Sequence, residues 1–159
     1  MLRKTIQTEG TVILELDVML EEKIAKSFIY RNKQDRFLFE MAKRRRLSAI
    51  CKLPAIVDKS CLLLESQQFP SSVELVKIMQ SFDVSDMCYV LSEYGDDGFD
   101  GEYVSLIEAV KKLQFNGFPS LIVGLPSGFS HLKYESRAST QPNCFLKPKT
   151  RFDGLAWKK

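Results

Sequence analysis

The sequence contains little of what the common catalytic centres require. Among its 159 residues there is one histidine, His131, and there is no CxxC pair of cysteines. Ser-His-Asp triads, Cys-His dyads and most zinc sites need histidine, so each of them would depend on this one residue. The Walker A, GxGxxG, HExxH and GxSxG motifs do not occur. We therefore expect His131 to be a structural residue of a strand, and we predict no catalytic residue, no metal and no cofactor.

Cysteine and long apolar runs are also sparse. The start of the chain is basic, but residues 5–9, four of which are polar, stand where the apolar core of an export signal would be. Cys61 and Cys88 lie in apolar runs, which is typical of reduced thiols in a protein core. No apolar stretch approaches the roughly 18 residues that span a bilayer. We expect a cytoplasmic protein with free thiols and no membrane partner. The other two cysteines are Cys51 and Cys144.

What the chain does have is the composition of one globular domain. Hydrophobic residues make up 45% and charged residues 27% of the chain, and its length fits a single domain. β-Rich stretches on both sides of Gly10 predict a hairpin of residues 4–8 and 11–18. Apolar runs predict further strands over 61–65, 87–92, 120–124, 129–134 and 144–146. Helical spacing of apolar residues predicts helices over 19–31, 35–52, 72–81 and 105–114.

These elements predict an α+β (mixed α/β) fold. The turn Leu125-Pro126-Ser127-Gly128 is short, so the strands on either side of it must be antiparallel. We therefore expect a single domain with one mixed or antiparallel sheet of about four to six strands and about four helices packed on it. The domain covers residues 1–138. Residues 139–159 form a basic, loosely held tail that contributes at most one short strand.

Positive charge is concentrated in residues 31–52, the basic segment. It carries eight basic and two acidic side chains, a local net charge of +6. Successive helical residues turn by about 100°, so the run Lys43 to Arg46 must place at least one cation against the apolar side. For this concentration of positive charge we favour a helix face exposed to solvent. The alternative is a surface that contacts phosphate groups. The candidate nucleic-acid-binding residues are Arg36, Lys43, Arg44, Arg45 and Arg46.

Negative charge is concentrated in residues 93–102, the acidic segment, which carries five carboxylates and no basic residue. An EF-hand starting at Asp96 is excluded, because Gly98 occupies ligand position 3 and Ile107 replaces the chelating glutamate. The segment is typical of an exposed turn or of a surface that meets a basic partner. Aromatic side chains beside the charges favour the second explanation. The candidate partner-binding residues are Tyr94, Asp96, Asp97, Phe99, Asp100, Glu102 and Tyr103.

The leading hypothesis is a non-enzymatic protein-binding module, because the chain has two oppositely charged segments, expected on separate surfaces, and no catalytic motif. A concrete version is an inhibitor or immunity-type protein of bacterial style that neutralises a toxin or nuclease through the acidic segment. A nuclease site is positively charged to receive phosphate, which would attract these carboxylates. The first alternative is a nucleic-acid-binding domain that uses helix 35–52 and the basic tail. The second alternative is a metal-dependent hydrolase with carboxylates from 86–102.

Overall fold

The main sheet of the protein has six strands, and each is antiparallel to its neighbours. Its order is β3-β8-β7-β6-β4-β5. The computed structural model describes residues 4–8, 11–15, 17–42, 45–66, 71–93, 99–113, 119–133, 143–150 and 152. A separate hairpin pairs β1 (Lys4–Thr8) with β2 (Thr11–Glu15). The strands of the sheet are β3 (Leu62–Ser66), β4 (Val84–Ser92), β5 (Glu102–Ser105), β6 (Ser120–Pro126), β7 (Ser130–Lys133) and β8 (Asn143–Leu146).

Six α-helices and one 3₁₀ turn, Lys59–Cys61, complete the described part of the chain. In these ranges no helix is long and apolar enough to pass through a bilayer. The predicted helix 72–81 is confirmed, because Ser71 and Glu74 form a capping box at its start. The helices are α1 (Val18–Phe28), α2 (Arg31–Ala42), α3 (Arg46–Cys51), α4 (Leu53–Ile56), α5 (Ser72–Gln80) and α6 (Leu106–Leu113).

The prediction of one helix over 35–52 is wrong. In the structure α2 begins at Arg31, before the expected cap at Asp35, and a second helix, α3, begins at Arg46. Pro54 lies in the first turn of the next helix, α4. Proline is accepted there because the first N–H groups of a helix have no partner within the helix. At the start of α3, Arg46 contacts Glu21 of α1.

The helices cover both faces of the sheet, so the α+β fold with one antiparallel sheet is confirmed. Side chains alternate between the faces of a strand, and on β4 this alternation separates two cores. Tyr89 and Leu91 pack with buried residues of α1, α2, α3 and α4. Cys88 and Val90 pack with buried residues of α5 and α6. Cys61 and Cys88 are buried and free, as predicted.

Residues 143–150 and 152 of the predicted tail take part in the fold. β8 lies between β3 and β7, so it is an interior strand of the sheet. Beyond it, the ammonium of Lys149 donates to the carbonyl of Ile29 (3.0 Å) and to Asp58 (3.1 Å). Phe152 is buried against Phe28. Arg151, Trp157, Lys158 and Lys159 of that tail lie outside the described residues.

Gly124 on β6 is required by close packing against β4 and by the turn that follows β6. A Cβ atom at this position would lie 2.4 Å from a methyl carbon of Val84 and 2.5 Å from the carbonyl oxygen of Phe129.

Gly124→Ala is therefore expected to lower the free energy of unfolding by about 1–3 kcal/mol, measured by urea titration. Adding Val84→Ala to that variant should restore part of the loss, because one of the two clashes disappears. Strictly additive losses would contradict this explanation.

Candidate functional site

The basic and acidic segments meet at one arginine. The Nε atom of Arg46 donates to Asp100 at 2.6 Å, and its two terminal nitrogens donate to the carboxylate oxygens of Glu21 at 2.9 and 2.5 Å. A fork of this kind is the strongest geometry for an arginine and a carboxylate. The two segments, expected on separate surfaces, are therefore joined through Arg46 and Asp100.

Two tyrosines extend this contact into the core. The hydroxyl of Tyr89 donates to Glu21 at 2.6 Å, and the hydroxyl of Tyr103 donates to Asp17. Their rings meet edge to face with centroids 4.9 Å apart. Asp100 also accepts the backbone N–H of Ser92 at 3.1 Å. We call the six joined side chains the ion cluster: Asp17, Glu21, Tyr89, Arg46, Asp100 and Tyr103.

Local sequence places each member of the ion cluster. Asp17 caps α1 by accepting the N–H of Leu20 at 2.9 Å, and Glu21 follows four residues later, on the same side of the helix. Carboxylates in the first turn are stabilised by the partial positive charge of a helix N-terminus. Tyr89 and Tyr103 stand opposite each other where β4 pairs with β5. Arg46 is the first residue of α3.

Burial and pairing fix the protonation of the cluster. Burial opposes the charge of Arg46, but its hydrogen bonds to Glu21 and Asp100 outweigh this and raise its pKa. Burial raises the pKa of Asp100, and contact with Arg46 acts against that rise. Burial, with the nearby carboxylates, also raises the pKa values of Tyr89 and Tyr103. Both tyrosines therefore remain neutral hydrogen-bond donors, and two carboxylates, those of Glu21 and Asp100, share one guanidinium.

The cluster offers little for acid–base or metal chemistry. Its tyrosine hydroxyls already donate to carboxylates, and its guanidinium is occupied on both sides. Across the described ranges, no three His, Cys, Asp or Glu side chains are placed to hold a metal ion. Asp86, a carboxylate of the hydrolase alternative, lies on the exposed part of β4 and accepts from Gln80 at 3.0 Å. What the cluster does is hold Asp100 to α3 and Tyr103 to the start of α1.

The predicted partner-binding residues fall into three groups. Asp100 and Tyr103 are members of the ion cluster. Phe99 is half-buried, has a positive φ of 65° and packs against the core of α5 and α6. Glu102 is half-buried on β5. Tyr94, Asp96 and Asp97 lie outside the described residues.

The predicted nucleic-acid-binding residues do not form one face in the part of the chain that is described. The side chain of Arg46 is 13% exposed and is bonded within the ion cluster. Arg36 is exposed but bonded to Glu40 at 3.0 Å, and Lys52 contacts the same carboxylate at 3.3 Å. The hydrogen bond from Arg36 lowers the pKa of Glu40. Arg45 is exposed, whereas Lys43 and Arg44 lie outside the described residues.

Sequence patterns do not reveal Asp17 and Glu21 as functional residues. Glu21 has the charge of a surface residue, yet it is buried, because Arg46 and Tyr89 satisfy its carboxylate. The available signal is the four-residue spacing of the two acids beside Leu20 and Ile24. That spacing places carboxylates on the apolar side of α1, where a buried acid needs a cation.

A second buried polar feature crosses one end of the sheet. Strand register places Ser92, Ser120 and Lys133 side by side on β4, β6 and β7. All three are buried, and they point towards α5 and α6, since Leu91, Leu121 and Leu132 belong to the other core. The Ser120 hydroxyl has no hydrogen-bond partner within the described residues. His131 lies two residues before Lys133, on a strand as predicted, with its ring 5.3 Å from that of Phe145.

Removing the guanidinium of Arg46 should be costly. Arg46→Met would leave the carboxylates of Glu21 and Asp100 buried without their cation, so we expect a loss of about 3–5 kcal/mol in the free energy of unfolding. Arg46→Lys should restore only part of it, because an ammonium cannot form the two-sided fork. The loss in the free energy of unfolding caused by Arg46→Met should become smaller at low pH, where protonation removes the negative charge that Arg46 balances.

Arg45→Met is the matched control for urea unfolding of these variants. Arg45 is the neighbouring residue and is exposed, so its loss should change the free energy of unfolding by less than about 0.5 kcal/mol. Equal effects of Arg45→Met and Arg46→Met would contradict the role assigned to the ion cluster.

Lys133 gives a prediction for pH. Burial lowers the pKa of this ammonium from 10.5 to about 8, so the unfolded chain holds the proton more tightly across that interval. Stability should therefore rise with pH between these values. Relative to Lys133→Met, the wild-type free energy of unfolding should increase by up to about 3 kcal/mol, measured by urea titration across that range. Ionisation of tyrosine and cysteine is common to both chains and cancels in the difference.

The control for this profile is Lys111→Met, which removes an exposed lysine of α6. Its pH profile should run parallel to that of the wild type. A constant difference between Lys133→Met and the wild type over the whole interval would refute the lowered pKa of Lys133.

Comparison with known proteins adds no relative to this geometry. No protein-family model, no curated protein and no solved structure matches the chain. The residues of the ion cluster, and the charged segments that it joins, are therefore the basis on which a function is inferred.

Proposed function

We propose that the protein is a non-enzymatic protein-binding module that presents the acidic segment to a basic protein partner. The observation that supports this proposal is the attachment of Asp100. Its carboxylate is bonded to Arg46 and to the backbone of Ser92, so Asp100 is tied to α3 and to the end of β4. A residue that is fixed before binding loses less conformational freedom in the complex.

The strands on either side give the segment a defined base. β4 ends at Ser92, β5 begins at Glu102, and Val90 stands opposite Glu102 in the paired strands. The N–H of Gly101 also donates to the carbonyl of Val90 at 2.7 Å. Residues 93–101 therefore connect two adjacent, paired strands. Glu93, Asp96, Asp97 and Glu102 add negative charge to the segment, and this charge would attract a basic surface.

The more specific form of the proposal is an inhibitor of the immunity type. Its partner would be a toxin or nuclease whose active site is positively charged to receive phosphate, and the acidic segment would occupy that site. Charge complementarity of this kind raises the association rate and selects against acidic partners. Phe99 and Tyr103, at the base of the segment, would supply apolar contact area.

A nucleic-acid-binding domain is the second candidate, and the exposed cations of α2 favour it. Arg31, Lys33 and Arg36 are exposed on this helix. We rank it below protein binding because Arg46 is bonded within the ion cluster and because Glu40 sits between Arg36 and Lys52. Both contacts reduce the positive charge available to phosphate groups.

Charge reversal in the acidic segment tests the proposal. The wild-type chain, attached to a resin, should retain a basic protein from a nuclease-treated lysate of the native host, identified by mass spectrometry. The double variant Asp96→Lys/Asp97→Lys should bind the purified partner at least about tenfold more weakly, since close charge pairs at interfaces contribute more than about 1.4 kcal/mol. Binding should weaken as salt is raised. If the partner is a nuclease, the wild-type chain should inhibit DNA cleavage and the double variant should not.

The matched control reverses two exposed acids elsewhere, Glu22→Lys on α1 and Asp35→Lys on α2. It changes the net charge equally and should leave partner binding unaltered. Equal retention of the partner by all three chains would reject the acidic segment as the binding surface. Salt-sensitive retention of nucleic acid, lost in Arg36→Ala/Arg45→Ala, would favour the second candidate.

A further inference from the structure

Three polar residues lie buried side by side across one end of the sheet, and we call them the polar row. Ser92 is the last residue of β4, Ser120 is the first of β6 and Lys133 is the last of β7. Strand pairing sets Ser120 directly opposite each of the other two. Residues opposite each other in an antiparallel pair have Cβ atoms about 5 Å apart. None of the three is more than 1% exposed.

The polar row borders an apolar core. Val90 and Ile122, the next residues of β4 and β6 on the same face, pack in one core with Val110 and Leu113 of α6. A hydroxyl or an ammonium in such surroundings costs free energy unless hydrogen bonds replace those it made with water. The row therefore needs a compensating partner that the apolar side chains around it do not supply.

Ser120 and Lys133 show what kind of partner is needed. The hydroxyl of Ser120 makes no hydrogen bond with any described residue. Lys133 is buried as a whole, so its stem does not carry the ammonium out to water. Burial lowers the pKa of Lys133 to about 8, and the ammonium is therefore still mostly protonated at neutral pH. An ammonium has three N–H donors, so it can keep another contact and still donate within the row.

A hydroxyl and an ammonium can be satisfied together by one shared acceptor. Negative charge on that acceptor would also offset the cost of burying a cation, because charges interact strongly where water is excluded. A water molecule can accept both hydrogen bonds, but it carries no charge to balance the ammonium. Since the row is buried and its two serines have small side chains, the acceptor must be a small ion.

We propose that the polar row binds one small monovalent anion, held by the ammonium of Lys133 and the hydroxyl of Ser120, with the hydroxyl of Ser92 as a further donor. Chloride and the carboxylate of a small acid share this chemistry. All three residues stand at strand ends, so an ion can enter without opening the sheet. The site lies on the face of the sheet opposite the ion cluster, and it does not depend on the partner proposed for the acidic segment.

Urea unfolding of the full-length chain tests the proposal, with sodium gluconate replaced stepwise by sodium chloride at constant ionic strength. At pH 7 chloride should raise the unfolding midpoint, because an ion that binds only the native chain stabilises it. Gluconate is too large for the row and serves as the reference. In a parallel series with sodium acetate, a larger midpoint shift than with chloride would assign the row to carboxylates, and a smaller one to halides.

The effect of chloride should depend on pH, because the row binds an anion only while Lys133 is protonated. At pH 9.5 the apparent affinity for chloride should be at least about tenfold lower than at pH 7. Other titratable groups around this end of the sheet are His131 on β7, Glu93 after β4, and Lys111 and Lys112 in the last turn of α6. The ordinary pKa values of imidazole and carboxyl groups lie below this pH interval, and that of lysine lies above it.

Ser120→Ala separates anion binding from a structural role of the hydroxyl. In gluconate this variant should be at least as stable as the wild type, because it removes a buried donor that has no partner in the described structure. In chloride its midpoint shift should be several-fold smaller than that of the wild type. Lys133→Met should show no shift that is specific to chloride.

Each variant has a matched control. Ser130 is a buried serine of β7 that faces the opposite core, and its hydroxyl donates to the carbonyl of Gly128 at 2.8 Å. Ser130→Ala should lose stability and keep the full chloride shift. Lys111→Met changes the net charge as Lys133→Met does and should also keep the full shift.

Three results would overturn the proposal. The first is an equal chloride shift in the wild type and in Lys133→Met, which would reduce the effect to one of general salt. The second is a full shift in folded Ser120→Ala, which would mean that this hydroxyl is not a ligand. The third is a wild-type chain whose midpoint responds to neither chloride nor acetate, which would mean that the row holds water alone.

Discussion

The fork between Arg46 and the carboxylates of Glu21 and Asp100 is the contact on which the arrangement of this protein depends. It joins α1, α3 and the connection between β4 and β5, which are far apart in sequence. A buried guanidinium is tolerated only when its hydrogen bonds are made with good geometry. The positions of α3 and of Asp100 are therefore coupled, because a shift of either would leave a charge without its partner.

Much of the fold follows from signals that act over a few residues. The capping box of Ser71 and Glu74 predicts the start of α5, and the continuous apolar run around Val90 predicts a central strand. The Leu125–Gly128 turn predicts that β6 and β7 are antiparallel, and they are. Each of these features is determined by backbone geometry and by burial close by, so residues near in sequence are sufficient to predict it.

The features that could not be predicted depend on partners distant in sequence. In sequence, residues 31–52 resemble one basic helix. Only the pairing of Arg46 with Glu21 and Asp100 explains why the cation at the start of α3 faces other elements of the fold. Glu21 looks like a surface acid for the same reason. β5 begins within the acidic segment, and its pairing of Tyr103 with Tyr89 is not visible from local propensity. The charge of each segment could be read from the sequence, but its availability to a partner could not.

The position of β8 has a consequence for synthesis of the chain. This strand lies between β3 and β7, although β3 ends at Ser66 and β8 begins only at Asn143. Until the ribosome has released residues 143–146, β3 has no neighbour in the sheet and one edge of β7 is open. The nascent chain therefore carries an unpaired β3 throughout the synthesis of residues 67–142, and unpaired strand edges can pair with other chains.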